Sequence, residues 1–167
     1  MSVLRIRTYP DDILKKSAGP LTNIDGNVQT LIDNMIETMY AAPGIGLAAP
    51  QVGESRRLLV LDVSNAEEKF PLFVLINPEI VDSEGKTESE EGCLSVPNYV
   101  SKIRRYDKVL VRGLDRNGKE TEIEADGLLS RVLQHEIDHL NGILFVDRLS
   151  RIKKEFFKKR YLRAMKT

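Results

Sequence analysis

Two histidines, His135 and His139, stand four positions apart in the run Gln134-His135-Glu136-Ile137-Asp138-His139, and the chain has no others. On an α-helix, residues four apart lie one above the other on one face, so both imidazoles can reach one ion. Glu136 then lies beside that ion, placed to take a proton from a water held there. The plain alternative is a pair of satisfied helix histidines with an exposed glutamate. The flanking residues argue against it. Over residues 126–141 the polar stripe is narrow: Gly127, Ser130, Arg131, Gln134, Asp138 and Asn141. The remainder is Leu128, Leu129, Val132, Leu133, Ile137 and Leu140 with the histidines and Glu136. Such a helix is mostly buried. Burying a carboxyl and two imidazoles without partners costs several kcal/mol, and a metal ion offsets that cost.

A catalytic zinc-type site uses three protein ligands and keeps one position for water. With no third histidine, the third ligand must be cysteine or a carboxylate. Cys93, the single cysteine, sits in Glu91-Gly92-Cys93-Leu94-Ser95. A thiolate is a strong ligand for a borderline metal, and Gly92 lets the backbone pass close to it. Otherwise a lone cysteine is a small buried hydrophobe. Two other functions share the helix motif. One is a zinc metallopeptidase that cleaves peptide bonds, for which cysteine is an unusual third ligand. The other is a non-enzymatic metal module, which needs four protein ligands. Asp138 could be proposed as a fourth, but it falls on the polar stripe.

The elements that must position these residues are legible in outline. Residues 27–42 place Val28, Leu31, Ile32, Met35, Ile36, Met39 and Tyr40 at helical spacing, with Asp25-Gly26 or Asn27 as the cap and Pro43-Gly44 as the stop. Residues 44–51 read as a loop of small residues. Residues 57–63 and 72–76 read as strands, the second broken by Asn77-Pro78. Residues 80–90 read as an edge strand or hairpin arm. Residues 102–114 and 120–124 form a hairpin around a turn at 115–118. Helices follow over 126–141, stopped by Gly142, and over 152–165. Strands cluster between helices without regular alternation. The expected fold is therefore α+β: mixed, mainly antiparallel strands around a central metal-binding helix, with an N-terminal and a C-terminal helix.

The chain has 167 residues, 41% hydrophobic and 30% charged, with net charge zero. One domain with a real core is expected, and no global field argues for nucleic acid. No signal peptide or membrane span is visible, and one cysteine suits a reducing cytoplasm, so a cytoplasmic location is expected. The charge is uneven. Residues 150–167 hold eight basic residues and one acid, Glu155, a charge of +7 against −7 for the rest.

Three motifs occur in order: Gly44-Ile45-Gly46-Leu47-Ala48-Ala49-Pro50-Gln51, Glu91-Gly92-Cys93-Leu94-Ser95, and Gln134-His135-Glu136-Ile137-Asp138-His139. Together they resemble the peptide deformylase family, whose members remove the formyl group from the N-terminal methionine of nascent chains. The resemblance spans roughly residues 4–149, and the length and extra C-terminal helix are similar to the first bacterial subclass. It implies a catalytic domain over 1–149, with 150–167 a basic helix of the same domain. It implies metal binding by Cys93, His135 and His139, with Fe(II) native and Zn(II), Ni(II) or Co(II) as substitutes. Glu136 would be the general base and then the acid. The Gln51 amide and the Leu94 backbone N–H would form the oxyanion hole, and backbone groups of Ile45, Gly46 and Gly92 would pair with the substrate as an added strand.

Leu128 and Val132 share a helix face with His135 and are candidates for a methionine pocket opposite Ile45; plain core is the alternative for Leu128. Asn98-Tyr99-Val100 lies where some members carry a basic residue at the substrate mouth. The expected partners are N-formyl-methionyl nascent peptides and, through the basic tail, the ribosome surface near the exit, with its rRNA. No membrane partner is expected, and the protein should be a monomer. In the tail, Ile152, Phe156, Phe157, Tyr161 and Met165 form an apolar strip among Lys153, Lys154, Lys158, Lys159, Arg160, Arg163 and Lys166. A plain docked helix is the other reading of that segment.

Overall fold

The structure, a computed structural model, describes residues 2–165, and for Met165 the backbone alone. Lys166 and the Met165 side chain lie outside the described residues. The expected α+β architecture is present, with every strand ladder antiparallel. Helix α1 spans Gly26–Ala41. Strands follow as β1 (Gly46–Ala48), β2 (Leu58–Leu61), β3 (Phe73–Glu84), β4 (Thr87–Cys93), β5 (Val96–Arg105), β6 (Lys108–Leu114) and β7 (Glu120–Ala125). Helices α2 (Gly127–Leu140) and α3 (Arg151–Met165) complete the chain. Five strands form one sheet in the order β1-β2-β3-β6-β7, and β4-β5 is a separate hairpin.

Strand β2 explains how the layers are held. Its side chains alternate between two cores. Leu59 and Leu61 join Leu75, Val111, Leu129, Leu133 and Ile137 under α2. Leu58 and Val60 join Val28, Ile32, Met35 and Met39 under α1. All four residues of β2 are fully buried, which is why the segment reads as a continuous apolar run. Each such side chain stabilises the fold by about 1.5–3 kcal/mol. The α1 cap is Asp25, whose carboxylate accepts from Val28 N–H at 3.0 Å. Replacing such a cap with alanine costs about 1 kcal/mol.

Four element boundaries differ from expectation. Residues 80–90 are not one edge strand: they are the end of β3, a strand interior to its sheet, and the start of β4, parted at Gly85-Lys86. Residues 44–51 are not all loop: β1 pairs with β2, placing Gly46 opposite Leu61. Pro78 does not end its strand. Asn77 takes φ 51° and the ladder shifts register between Ile76 and Glu79, so the missing proline N–H is absorbed in a bulge. The Asn77 side chain clasps Leu21, accepting from its N–H and donating to its carbonyl, each at 2.8 Å. Residues 102–114 are two strands, β5 and β6, which pair with different partners either side of Tyr106-Asp107. No described helix is long and apolar enough to cross a membrane.

The polar stripe of α2 faces protein, not water. Ser130 is fully buried, and Gln134 and Asp138 nearly so. The Gln134 amide accepts from Tyr106 N–H and donates to the Tyr106 carbonyl, each at 2.9 Å. In α3 the expected apolar strip is split. Phe157 is buried against Tyr9 and Tyr99, and Tyr161 packs beside it. Ile152 and Phe156 face solvent, 70% and 63% exposed.

Candidate metal and active site

Helix α2 carries His135 and His139 on one face, and the β4-β5 hairpin brings Cys93 to them across its tight end, where Cys93 pairs with Val96. Cys93 Sγ lies 3.4 Å from His139 Nε2, which lies 3.2 Å from His135 Nε2. The three ligand atoms all fall within 4.8 Å of one another. A tetrahedral ion with bonds of about 2.0–2.3 Å requires ligand–ligand edges of about 3.3–3.8 Å. The triad therefore fits a single ion. Burial, with His135 beside it, holds His139 well below its ordinary pKa, in the neutral form that ligates. Asp138 takes no part in the triad; it is bound to Arg105 and Arg148.

Glu136 points across the site. It is 4% exposed, and its Oε1 has no hydrogen-bond partner among the described residues. Burial pushes its carboxyl up to about 7, against the attraction of His135. A carboxyl there can take a proton and give it back near neutral pH. Gly46 makes room for it: a Cβ at that position would stand 2.6 Å from Glu136 Oε2. Gly46, expected from sequence to meet the substrate, therefore also makes room for the general-base candidate. Gly44 has a similar reason, since a Cβ there would meet Leu94 Cδ1 at 2.8 Å.

Gln51 lies in a short 3-10 turn after β1 and is buried. Its Oε1 accepts from Ala48 N–H at 2.9 Å, which fixes the amide so that Nε2 faces Ser95 Oγ at 3.0 Å and Cys93 Sγ at 3.6 Å. Ser95 belongs to the Glu91-Gly92-Cys93-Leu94-Ser95 motif, yet its sequence position alone shows no role for its hydroxyl. Glu91 and Arg105 were also missed. His135 Nδ1 bonds Glu91 Oε1 at 3.0 Å, and Arg105 donates to both oxygens of Glu91 at 2.8 and 2.9 Å. A carboxylate on the rear nitrogen fixes the tautomer and aim of a ligating imidazole. No sequence spacing shows this pair: in the β4-β5 ladder Glu91 stands opposite Ser101 and Arg105 opposite Thr87, and the long Arg105 side chain reaches along the hairpin to Glu91.

The triad opens into a cavity of about 620 Å³ lined by Ile45, Gly46, Gly92, Leu94, Leu128 and Val132 among others. All the expected substrate residues meet there. Leu128 is 42% exposed at its rim, so it is not core. Arg131, on the polar stripe, lines this cavity one helical turn before His135 and is the one arginine or lysine among its described lining residues. Val100 is exposed at the mouth.

A model of the polypeptide deformylase family matches residues 3–155. Peptide deformylase of Thermodesulfovibrio yellowstonii is 60% identical over 161 residues, covering 96% of this chain and 98% of that protein. The Rhizobium meliloti enzyme is 48% identical over 169 residues, covering 100% and 97%. Among solved structures, peptide deformylase of Legionella pneumophila superposes with a TM-score of 0.91 at 47% identity, covering 99% and 96%. The Ehrlichia chaffeensis enzyme in complex with actinonin gives 0.93 at 43% identity over the whole of both chains. With matches of this extent, the chain belongs to the peptide deformylase family, metal-dependent hydrolases that remove the N-formyl group from the N-terminal methionine of newly made polypeptides.

Proposed function

We propose that Cys93, His135 and His139 hold one divalent ion, natively Fe(II), and that Glu136, Gln51 and Leu94 carry the chemistry of deformylation on it. The observation that carries this reading is the closeness of three ligand atoms to one another with a buried, unpartnered Glu136 oxygen beside them. The bound ion supplies Lewis acidity, which makes water nucleophilic at neutral pH and polarises a carbonyl. A thiolate with two imidazoles suits Fe(II), and Zn(II), Ni(II) and Co(II) suit the same donors; Fe(II) as the native ion is carried by the family resemblance.

Backbone groups of Ile45, Gly46 and Gly92 hold the formyl-methionyl peptide as an added strand, and Leu128, Val132 and Ile45 receive the methionine side chain. Support comes from the place of β1 at the sheet edge, where among the described residues it pairs with β2 alone. Glu136 accepts the proton of the attacking water and then delivers it to the departing amine. As the carbonyl oxygen gains charge, Gln51 Nε2 and Leu94 N–H donate to it; a donor of this kind is worth about 10²–10³ in kcat. Hydrolysis releases formate.

The test is formate release from a formyl-Met peptide, alongside metal analysis. Cys93→Ser should lose the ion and the activity. Glu136→Gln should keep the ion and lose about 10²–10⁴-fold in kcat. Full metal and turnover in Cys93→Ser would overturn the ligand set, and near-normal kcat in Glu136→Gln the proton-transfer role.

Residues 1–149 and 150–167 are read as one domain, because Phe157 of α3 is buried with Tyr9 and Phe145. The enzyme is read as a cytoplasmic monomer. Its α3 cations, flanking the exposed Ile152 and Phe156, are read as a docking face for ribosomal RNA near the exit.

A further inference from the structure

A chain of charged hydrogen bonds runs from the surface to His135. Arg148, at the end of the turn Phe145–Arg148, donates Nε and Nη2 to the two oxygens of Asp138, at 2.6 and 2.7 Å. Asp138 Oδ2 also accepts from Arg105 Nη1 at 2.6 Å. Arg105 turns its remaining fork onto Glu91, and Glu91 holds His135 Nδ1. Two guanidinium forks and two carboxylates thus tie α2, β4, β5 and the turn after α2 to one imidazole. The Arg105 side chain is 2% exposed, and that of Arg148 is 42% exposed. The outer members, Arg105, Asp138 and Arg148, line a second cavity of about 420 Å³ that shares no lining residue with the substrate cavity.

The bracing is one-sided. His139 Nδ1 has no hydrogen-bond partner among the described residues, so the aim of His135 is the aim that the side chains behind it control. We propose that Arg148 is a positioning residue for the metal centre: by clamping Asp138 it fixes Arg105, and through Arg105 and Glu91 it fixes the ring of His135. The geometry leaves little slack. Asp138 is buried, and one of its oxygens serves both arginines. Without Arg148, Asp138 turns toward Arg105 alone. Arg105 is then drawn from its parallel seat on Glu91, because a planar fork cannot follow two carboxylates that rotate independently. Lysine at 148 restores the charge but one point contact replaces two.

The proposal rests on the ligand reading above. Co(II)-loaded full-length enzyme tests both at once. The parent is compared with Arg148→Ala, Arg148→Lys and, as a control, Arg112→Ala, whose partner Glu122 is exposed. The readouts are the visible absorption of the cobalt with its thiolate band, the rate of cobalt loss to a chelator, kcat and KM, and Tm. Loss of a group that orients a metal ligand commonly costs 10–100-fold in affinity or activity. Arg148→Ala should shift the cobalt spectrum, release the metal about 10-fold faster, and lower kcat with KM unchanged. Arg148→Lys should recover part of each, and Arg112→Ala should match the parent. If the parent gives no thiolate band, the ligand reading fails and the proposal with it. If the parent gives the band and Arg148→Ala matches its spectrum and release rate, the positioning role is overturned, whatever happens to Tm.

Discussion

Gly46 and Glu136 show how closely single atoms are matched in this enzyme. A methyl group at Gly46 would occupy the space of Glu136 Oε2. Gly46→Ala should therefore push the carboxylate aside by about an ångström, a displacement that can cost about 10²-fold. The expected result is a fall in kcat of that order with metal content intact; unchanged kcat would show that Glu136 has another seat. Glu91 gives a second prediction. Burial would raise its pKa, but hydrogen bonds from Arg105 and His135 outweigh it and hold it at about 2, against 4.5 ordinarily. A pKa lowered by folding contributes stability that is complete above about 4.5 and is lost as pH falls toward 2. The urea midpoint should fall more steeply over that window in the parent than in Glu91→Gln. The shared face of His135 and His139, and the place of Glu136 beside them, were legible because helical spacing alone aligns them. Glu91 and Arg105 were not, because they meet along a hairpin whose register no local pattern specifies. Arg148 and Ser95 were not, because each reaches from a turn to an element distant in sequence or space, Arg148 to Asp138 of α2 and Ser95 to Gln51.

Elements were legible where periodicity was unambiguous, as in α1 and α2. They were misread where one run served two partners. Residues 102–114 alternate only through Val109 and Val111, and the polar run from Arg104 to Lys108 carries no glycine or proline to mark the corner at Tyr106-Asp107; Gln134 and Ser130 of α2 receive the backbone there. Helix α3 was legible as a helix but not in its facing. Its Phe157 ring sits 4.6 Å from Tyr99 and 5.4 Å from Tyr9, and Phe145, 6.1 Å from Tyr99, lies at the same distance from His135. Phe157→Ala should cost about 3–5 kcal/mol. In a chain of this size that is a fall of roughly 6–20 °C in Tm. A change of under 2 °C would mean that α3 is held from elsewhere. Removal of residues 151–167 would strip this ring from the core, so the tail's cations are better tested by side-chain replacement.

At the scale of the molecule, the fold class was legible from strands that do not alternate with helices. The sheet order was not: β3 and β6 are neighbours across an excursion of two strands, and such long-range pairing leaves no trace in composition. The charge division was plain, +7 on residues 150–167 against −7 elsewhere. Replacing Lys153, Lys159, Arg160 and Arg163 with alanine should weaken ribosome binding, flatten its dependence on salt, and leave hydrolysis of a short formyl-Met peptide unchanged. Binding that keeps the parental salt slope would remove RNA contact from the tail's roles.

The five-stranded sheet ends in two very different edges. On β7, Glu120, Glu122 and Glu124 are exposed along the rim. On β1 the residues are Gly46, Leu47 and Ala48, uncharged and buried, over three positions only. Open sheet edges template the stacking of other chains, and charge or brevity is what prevents it. The two edges are thus protected by opposite means. If the substrate adds at β1 as proposed above, that edge must stay open to a strand and is protected by brevity; β7 carries a glutamate at every second position instead. Self-association should follow from this asymmetry: valine at Glu122 and Glu124 would open a longer template, and the enzyme would then be expected to aggregate at concentrations where the parent stays clear.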